Sequence, residues 1–325
     1  MAADKLKVAM YWGGACGGCD VALLDIHEKI LDVVAVADLL FWPCAMDFKY
    51  KDVERMPDQH LDVTFFNGAI RNSENEHIAR LLRKKSKYML AFGSCAHMGG
   101  IPGLANFYTQ AEVFQAAYLD SPSTDNPQKL IPQRQHKVPE GTLELPEIYN
   151  TVRTLAQAVE VDFFLPGCPP NPEQIAIVIH AAATGKLPPI GSVVGAADKA
   201  LCEECPRKKK ELKFKEFKRR HLVHPDPEVC FMEQGILCIG AATRAGCGWR
   251  CIQSNMPCRG CYGPLPNALD QGAKILSAIS SHIDSDDPAE VERILDSMPD
   301  PAGYFYRFGL PLSMLHRKQQ LKKAT

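Results

Sequence analysis

The stretch Met10–Leu24, MYWGGACGGCDVALL, starts as an apolar strand, turns through glycines, continues as a helix, and carries two cysteines three apart, Cys16 and Cys19. Strand, glycine turn and helix outline a phosphate-binding loop. Yet the Lys-Ser/Thr pair of a nucleoside triphosphate loop and the third glycine of a dinucleotide fingerprint are both missing. Thiols stand where a nucleotide site places glycines, so the turn is read as a metal or redox site, and the rest of the chain is searched for its other ligands.

Outward from this turn, strand and helix signals alternate. Leu6–Trp12, Ala37–Trp42, Leu61–Asn67, Lys87–Gly93 and Asp162–Leu165 read as strands. Val21–Val34 has helical periodicity with Asp20 as N-cap, and Ser73–Lys85 is amphipathic with Ser73 and Glu76 spaced as a capping box. Pro172–Ala183 is a helix closed by Gly185. This alternation predicts an α/β layer with a mostly parallel sheet. The polar, proline-rich segment 120–146 is expected to be a surface insertion. Beyond about Leu187 the character changes to cysteine-rich loops, expected to depend on metal more than on a hydrophobic core of their own. Helices return at 268–283 and 289–298. Two domains follow, 1–187 and 188–325.

Composition narrows the function. The 325 residues are 46% hydrophobic with a formal net charge of -1, which argues against a nucleic-acid or membrane-surface binder. No run approaches the roughly 18 apolar residues of a membrane span, and the opening MAADKLKVAMYW has neither the apolar core of a secretory signal nor a twin-arginine leader. A cytoplasmic protein is expected. In a reducing compartment, thirteen cysteines point to metal or redox chemistry rather than disulfides.

Twelve of the thirteen sort into three sets of four. Cys16 and Cys19, Cys95 and Cys168 each follow a strand, in the turns GGACGGCD, GSCAHMGG and PGCPPNP. A parallel sheet with regular crossovers puts all strand C-termini on one edge, so these four thiols meet there. Glycines let the backbone approach closely, and four thiolates in amide-rich turns suit a 4Fe–4S cluster. Structural zinc, which favours paired C-x2-C knuckles, stays open on chemistry alone. The second set is Cys202, Cys205, Cys230 and Cys238, from CEEC and CFMEQGILC; the third is Cys247, Cys251, Cys258 and Cys261, from CGWRCIQSNMPCRGC. Cys44 is left over and is read as a small buried hydrophobe. Nothing forms a nucleophile triad or a flavin or nicotinamide loop, so no catalytic residue is assigned.

The motifs WGGACGGCD, GSCAHMGGIPG, PGCPPNP, CEECPR, CFMEQGILCIG and PCRGCYGP, in this order, resemble the small, electron-transferring subunit of nickel–iron hydrogenases. The nearest likeness is to gamma subunits of F420-non-reducing (methyl-viologen-reducing) hydrogenases that work with heterodisulfide reductase. The resemblance implies a flavodoxin-like N-terminal domain with a proximal cluster on Cys16, Cys19, Cys95 and Cys168. It implies medial and distal clusters in the C-terminal domain, medial on the Cys247 set and distal on the Cys202 set. Cys202 stands where many relatives have histidine, and Cys251 where many have a proline and a 3Fe–4S cluster. Three 4Fe–4S clusters and a low-potential acceptor are therefore expected. The nickel–iron site would lie on a partner large subunit, and the acceptor would be an iron–sulfur or flavin protein such as a delta subunit or heterodisulfide reductase. A cluster subunit of a non-hydrogenase oxidoreductase and a zinc-stapled interaction protein are the alternatives.

Three further features have two readings. His97, two residues after Cys95, either packs locally or tunes the site. Trp12 and Trp249 flank cluster motifs and would exclude water. The basic run Arg207–Arg220 is either a solvated helix face or a docking patch for an acidic acceptor.

Overall fold

A computed structural model describes residues 5–317; the outermost residues of both expected domains lie outside these. Five strands form one parallel sheet: β1 (Leu6–Trp12), β2 (Ala37–Phe41), β3 (Leu61–Asn67), β4 (Ser86–Phe92) and β5 (Phe163–Leu165). Their order is β2-β1-β3-β4-β5, the doubly wound flavodoxin-like order, in which ligands bind beyond the strand C-termini. Trp12 pairs with Asn67, Asn67 with Phe92 and Phe92 with Leu165, so the strands end level along one edge.

The strands read as apolar runs because both faces of the sheet are covered. One face buries Val8, Met10, Phe65, Leu90 and Phe163 against Ile175 and Ile179 of the helix Pro172–Ala183. The other buries Ala9, Tyr11, Phe66 and Met89 against Ile78 and Leu82 of the helix Ser73–Lys85. Alternate residues of one strand thus serve opposite layers.

Several local expectations are corrected. The helix expected over 21–34 is broken: Gly18–Leu24 and Ile30–Val36 flank a tight turn in which His27 has φ 54°. Asp20 caps nothing; it lies within the first turn, where its carboxylate accepts from Trp42 Nε1 and Asn67 Nδ2. The cap of the helix Ser73–Lys85 is Asn72, whose side chain accepts from the N–H of Asn75, while Glu76 pairs with Arg80 and Arg153. Segment 120–146 is exposed but contains the hairpin Gln135–Val138 with Gly141–Glu144. Gly185 closes the helix Pro172–Ala183 with φ 68°, as expected.

Among the described residues no strand follows Leu165. The second half nevertheless has a hydrophobic core, contrary to expectation: Phe214, Phe217, Phe231, Ile236, Leu237, Ile275, Ile279 and Tyr304 are buried together. The helices Gln271–Ser280 and Pro288–Asp296 supply part of it, capped by Asp270 and Asp287. The basic run 207–220 is not a helix face. It is extended, with Phe214 and Phe217 buried in that core and Lys208, Lys209, Lys210 and Lys213 outside.

Candidate metal centres

The level C-terminal edge of the sheet brings the first four thiols together. The turn after β1 is tied to β3 by Gly13 N donating to Asn67 O (2.8 Å), and the turn after β4 to β5 by Gly93 N to Leu165 O (2.8 Å) and Ser94 N to Gly167 O (2.8 Å). Cys19 and Cys95 are buried and Cys16 and Cys168 exposed. Two glycines keep the space around them open. A Cβ on Gly93 would lie 2.4 Å from Cys19 Sγ, one on Gly100 2.4 Å from Cys95 Sγ, and both have positive φ, 85° and 58°. Only glycine fits such positions. Trp12 is not a water shield; it is 42% exposed, lies over Gly17 and donates from Nε1 to Ala15 O (2.9 Å), bracing the turn between β1 and Cys16.

The second set lines one cavity. Cys202, Cys205, Cys230 and Cys238 surround a space of about 240 Å³ together with Arg207, Phe231, Met232 and Gly240. This is an order of magnitude more than the roughly 10–15 Å³ that admits a water molecule. The cavity also runs past Ile275 and His282, and among the described residues no three thiols or other ligands converge closely enough to hold a single metal ion, as a structural zinc about 2.3 Å from each thiolate would need; a larger iron–sulfur group suits the wider set. The short helix Leu201–Glu204 carries Cys202, and Cys230 N donates to Lys208 O (2.9 Å), which fixes the CFM turn against the segment following CEEC.

The third set lies between the other two. Burial, then the neighbouring thiols Cys251 and Cys247 of its own set and Cys168 of the first, push the Cys261 thiol up. Ser94 Oγ joins the same two segments, lying 2.8 Å from Gly167 O and 2.7 Å from Cys261 O, with its single proton donated to one or shared between the two. On its far side, Cys258 N donates to Cys238 Sγ of the second set (3.3 Å), and Ile239 N returns a bond to Cys258 O (3.2 Å). A Cβ on Gly240 would sit 3.4 Å from Cys202 Sγ and 3.7 Å from Cys258 Cβ. The sets therefore stand in a row: 16/19/95/168, then 247/251/258/261, then 202/205/230/238. Trp249, at φ 45°, begins the short helix that carries Cys251.

Burial, reinforced by neighbouring thiols, pushes Cys95 and Cys238 up to about 12, and burial pushes Cys202 up to about 11. Cys19 and Cys261 are raised further by the same causes. Such groups become thiolates only with a cation to neutralise them, which is how metal binding couples to deprotonation. All thirteen cysteines are free. Cys44, expected to be buried, is exposed in the turn after β2.

His97 is half-buried with its Nδ1 shut off from solvent, and desolvation of its ring together with Arg244 holds it near 4, so it is neutral at ordinary pH. Its ring packs on Phe164 at 4.8 Å, and Nδ1 has no partner among the described residues. Sequence reasoning missed the buried Asp20–Trp42–Asn67 network behind Cys19 and the role of Gln174. Gln174 accepts from Tyr262 Oη (2.5 Å) beside Cys261 and donates to Gly195 O (2.7 Å) and Gly246 O (3.0 Å), tying the helix Pro172–Ala183 to the third set. It also placed Arg207 in a surface charge run, although that residue is 5% exposed and lines the cavity of the second set. Its position directly after C-x2-C-P was the available signal.

Residues 16–182 match the family described as NADH ubiquinone oxidoreductase, 20 Kd subunit. An F420-non-reducing hydrogenase iron-sulfur subunit of Archaeoglobus profundus is 42% identical over 319 residues, covering 96% of this chain and 98% of that one. An F420-non-reducing hydrogenase subunit of Methanothermobacter thermautotrophicus is 37% identical over 323 residues, covering 98% of each. Among solved structures, an NAD+-reducing NiFe-hydrogenase in the H2-reduced state aligns with 25% identity and a TM-score of 0.49, over 57% of this chain and 94% of that one.

Proposed function

This chain belongs to the family of F420-non-reducing hydrogenase iron-sulfur subunits, within the wider NADH ubiquinone oxidoreductase 20 Kd subunit family, and we propose on that premise that it carries electrons through three 4Fe–4S clusters. It is a hydrogenase subunit, so the non-hydrogenase alternative falls away. In this reading Cys16, Cys19, Cys95 and Cys168 hold the proximal cluster, Cys247, Cys251, Cys258 and Cys261 the medial, and Cys202, Cys205, Cys230 and Cys238 the distal.

The observation that carries the proposal is the row of thiol sets, with the middle set touching both others through Cys261–Cys168 and Cys258–Cys238. When bound, such clusters each accept and release one electron without bond making or breaking. The chain's residues supply the rest: thiolates to hold them, glycines to make room, and a buried apolar surround that limits water. Exposed Cys16 and Cys168 mark the face that a large subunit bearing nickel–iron would cover.

The far set would deliver electrons to a low-potential iron–sulfur or flavin protein, such as a delta subunit or heterodisulfide reductase. In this reading the chain divides near residue 187 into a sheet domain and a domain carrying the medial and distal clusters, and works in the cytoplasm. No helix among the described residues is long and apolar enough to cross a membrane. Iron and acid-labile sulfide analysis of the anaerobically purified protein tests the proposal. Visible absorption that bleaches on reduction is expected; a colourless protein loaded with zinc would refute it.

A further inference from the structure

Arg207 is the one arginine among the buried polar residues described, and it lines the cavity of the Cys202 set. It is held from several sides. Nη1 donates to Asp226 O and Val229 O (both 2.7 Å), and Nη2 to Asn255 Oδ1 (2.6 Å). The guanidinium lies over the ring of Phe231, 3.8 Å from its centroid. Asn255 is fixed in turn, with Nδ2 donating to Pro225 O and its carbonyl accepting from Arg220 Nε. Flanking segments are knitted in parallel, Lys208 N to Glu228 O and Cys230 N to Lys208 O. The planar group cannot swing out to solvent.

Despite these four contacts, Nε is buried and has no partner among the described residues. An unpaired buried N–H beside a charge-bearing site calls for an acceptor. Among the described residues no carboxylate pairs with this guanidinium, although arginine is almost always charged and a buried unpaired cation is costly. Burial works against its charge, while the nearby Cys205, Cys230 and Cys238 and, less strongly, the Asp226 carboxylate favour it. The site thus holds a fixed cation and a spare donor, lining one cavity with four thiols that carry negative charge once deprotonated.

We propose that Arg207 is a positioning residue that tunes the distal site, its charge and free Nε–H stabilising the reduced form of a cluster held there. The inference rests on the distal assignment given above. A cluster gains one negative charge when it accepts one electron, and net charge and hydrogen bonds to sulfur are the protein's main levers on its potential. A cation walled off from water acts on that added charge more strongly than an exposed lysine would. Arg207 therefore makes the last site a better electron sink, favouring flow outward along the row. Lys209 assists only from the rim: its Nζ donates to Cys202 O (2.8 Å) while the residue stays exposed.

The test compares Arg207→Gln and Arg207→Lys with the wild-type protein, in complex with its large subunit, by redox titration followed with electron paramagnetic resonance. Iron and sulfide are assayed on the same samples. Arg207→Gln is expected to lower the distal midpoint so that the reduced-to-oxidised ratio at fixed potential falls at least tenfold, about 59 mV for a one-electron couple. The proximal and medial midpoints stay in place. Arg207→Lys keeps the charge without the fork and falls between. An unchanged distal midpoint with full iron content overturns the inference, as does an equal shift of all sites or loss of the distal cluster in both variants, which would make Arg207 only structural. Wild-type protein lacking iron and sulfide would instead refute the electron-transfer reading itself.

Discussion

The backbone N–H of Cys258 points at Cys238 Sγ, 3.3 Å away, and so joins two sets of thiols through residues 20 positions apart in the chain. An N–H donated to sulfur stabilises its thiolate, and here the donor belongs to the neighbouring site. Cys258→Ala keeps that N–H and removes only the medial ligand. The expected outcome is loss or conversion of the medial signal with the distal signal retained, whereas Cys44→Ser should leave every cluster intact. Electron paramagnetic resonance of the three proteins, with iron analysis, checks both. Loss of the distal signal alone in Cys258→Ala would mean that Cys258 is assigned to the wrong set.

Cys251 lies in the first turn of the short helix Arg250–Gln253, where a backbone N–H needs no helical partner and proline is tolerated. Cys251→Pro should therefore fold. With one thiolate fewer, the medial site should give a 3Fe–4S signal in mildly oxidised protein and a higher potential, because negative charge is removed from the cluster. The wild-type protein should lack that signal at full occupancy.

Glu76 pairs with Arg80 (2.6 Å) and with Arg153, which hold its carboxyl down at about 2 against an ordinary 4.5. Arg153 ends the strand Ile148–Arg153, so the pair ties the strand that follows the insertion to the helix Ser73–Lys85. A depressed carboxyl contributes stability above its unfolded pKa and loses it as pH falls toward the folded one. Glu76→Gln should cost roughly 1 kcal/mol at pH 7, little more than an exposed pair because both arginines reach solvent. The gap to wild type should narrow between about pH 4.5 and 2. Urea midpoints measured at both ends of that range test it.

Lys208, Lys210 and Lys213 are exposed next to the distal cavity, and Lys208 and Lys213 are partly neutralised by Glu228, Glu211 and Asp284. Reversing all three to Glu spares Lys209, whose Nζ bonds Cys202 O. Transfer to the natural acceptor should slow at low salt and recover as salt shortens the Debye length to about 8 Å and below. Hydrogen oxidation with a small dye should be unaffected. Equal loss in both assays would mean that these lysines support the distal site itself.

Much of this was legible because the signals were local. Leu6–Trp12, Leu61–Asn67 and Ser73–Lys85 keep their sequence-derived bounds, since apolar runs and a single amphipathic stripe leave few alternatives. The proposed thiol sets rest on equally local signals, each being marked by a turn of glycines or a close pair. Periodicity is blind to a short break, so the left-handed His27 in the five residues between the two helices went unseen. Asn72 and Ser73 were both competent caps, and only the structure separates them. The second core was hidden because its phenylalanines, Phe214 and Phe217, are interleaved with lysines in a segment that reads as pure charge. What joins the sets, Cys258 to Cys238 and Ser94 to Cys261, depends on how distant turns pack, and no spacing encodes it.

Mössbauer spectroscopy of isotopically enriched iron in the anaerobically purified protein tests the three-cluster assignment most directly, because it counts iron by cluster type whether or not a cluster is paramagnetic. Three sets of four thiolates should give about twelve irons per chain, all in 4Fe–4S environments. A stoichiometric 3Fe–4S component in undamaged protein, or iron in only one or two clusters with zinc filling the remaining sites, would contradict it.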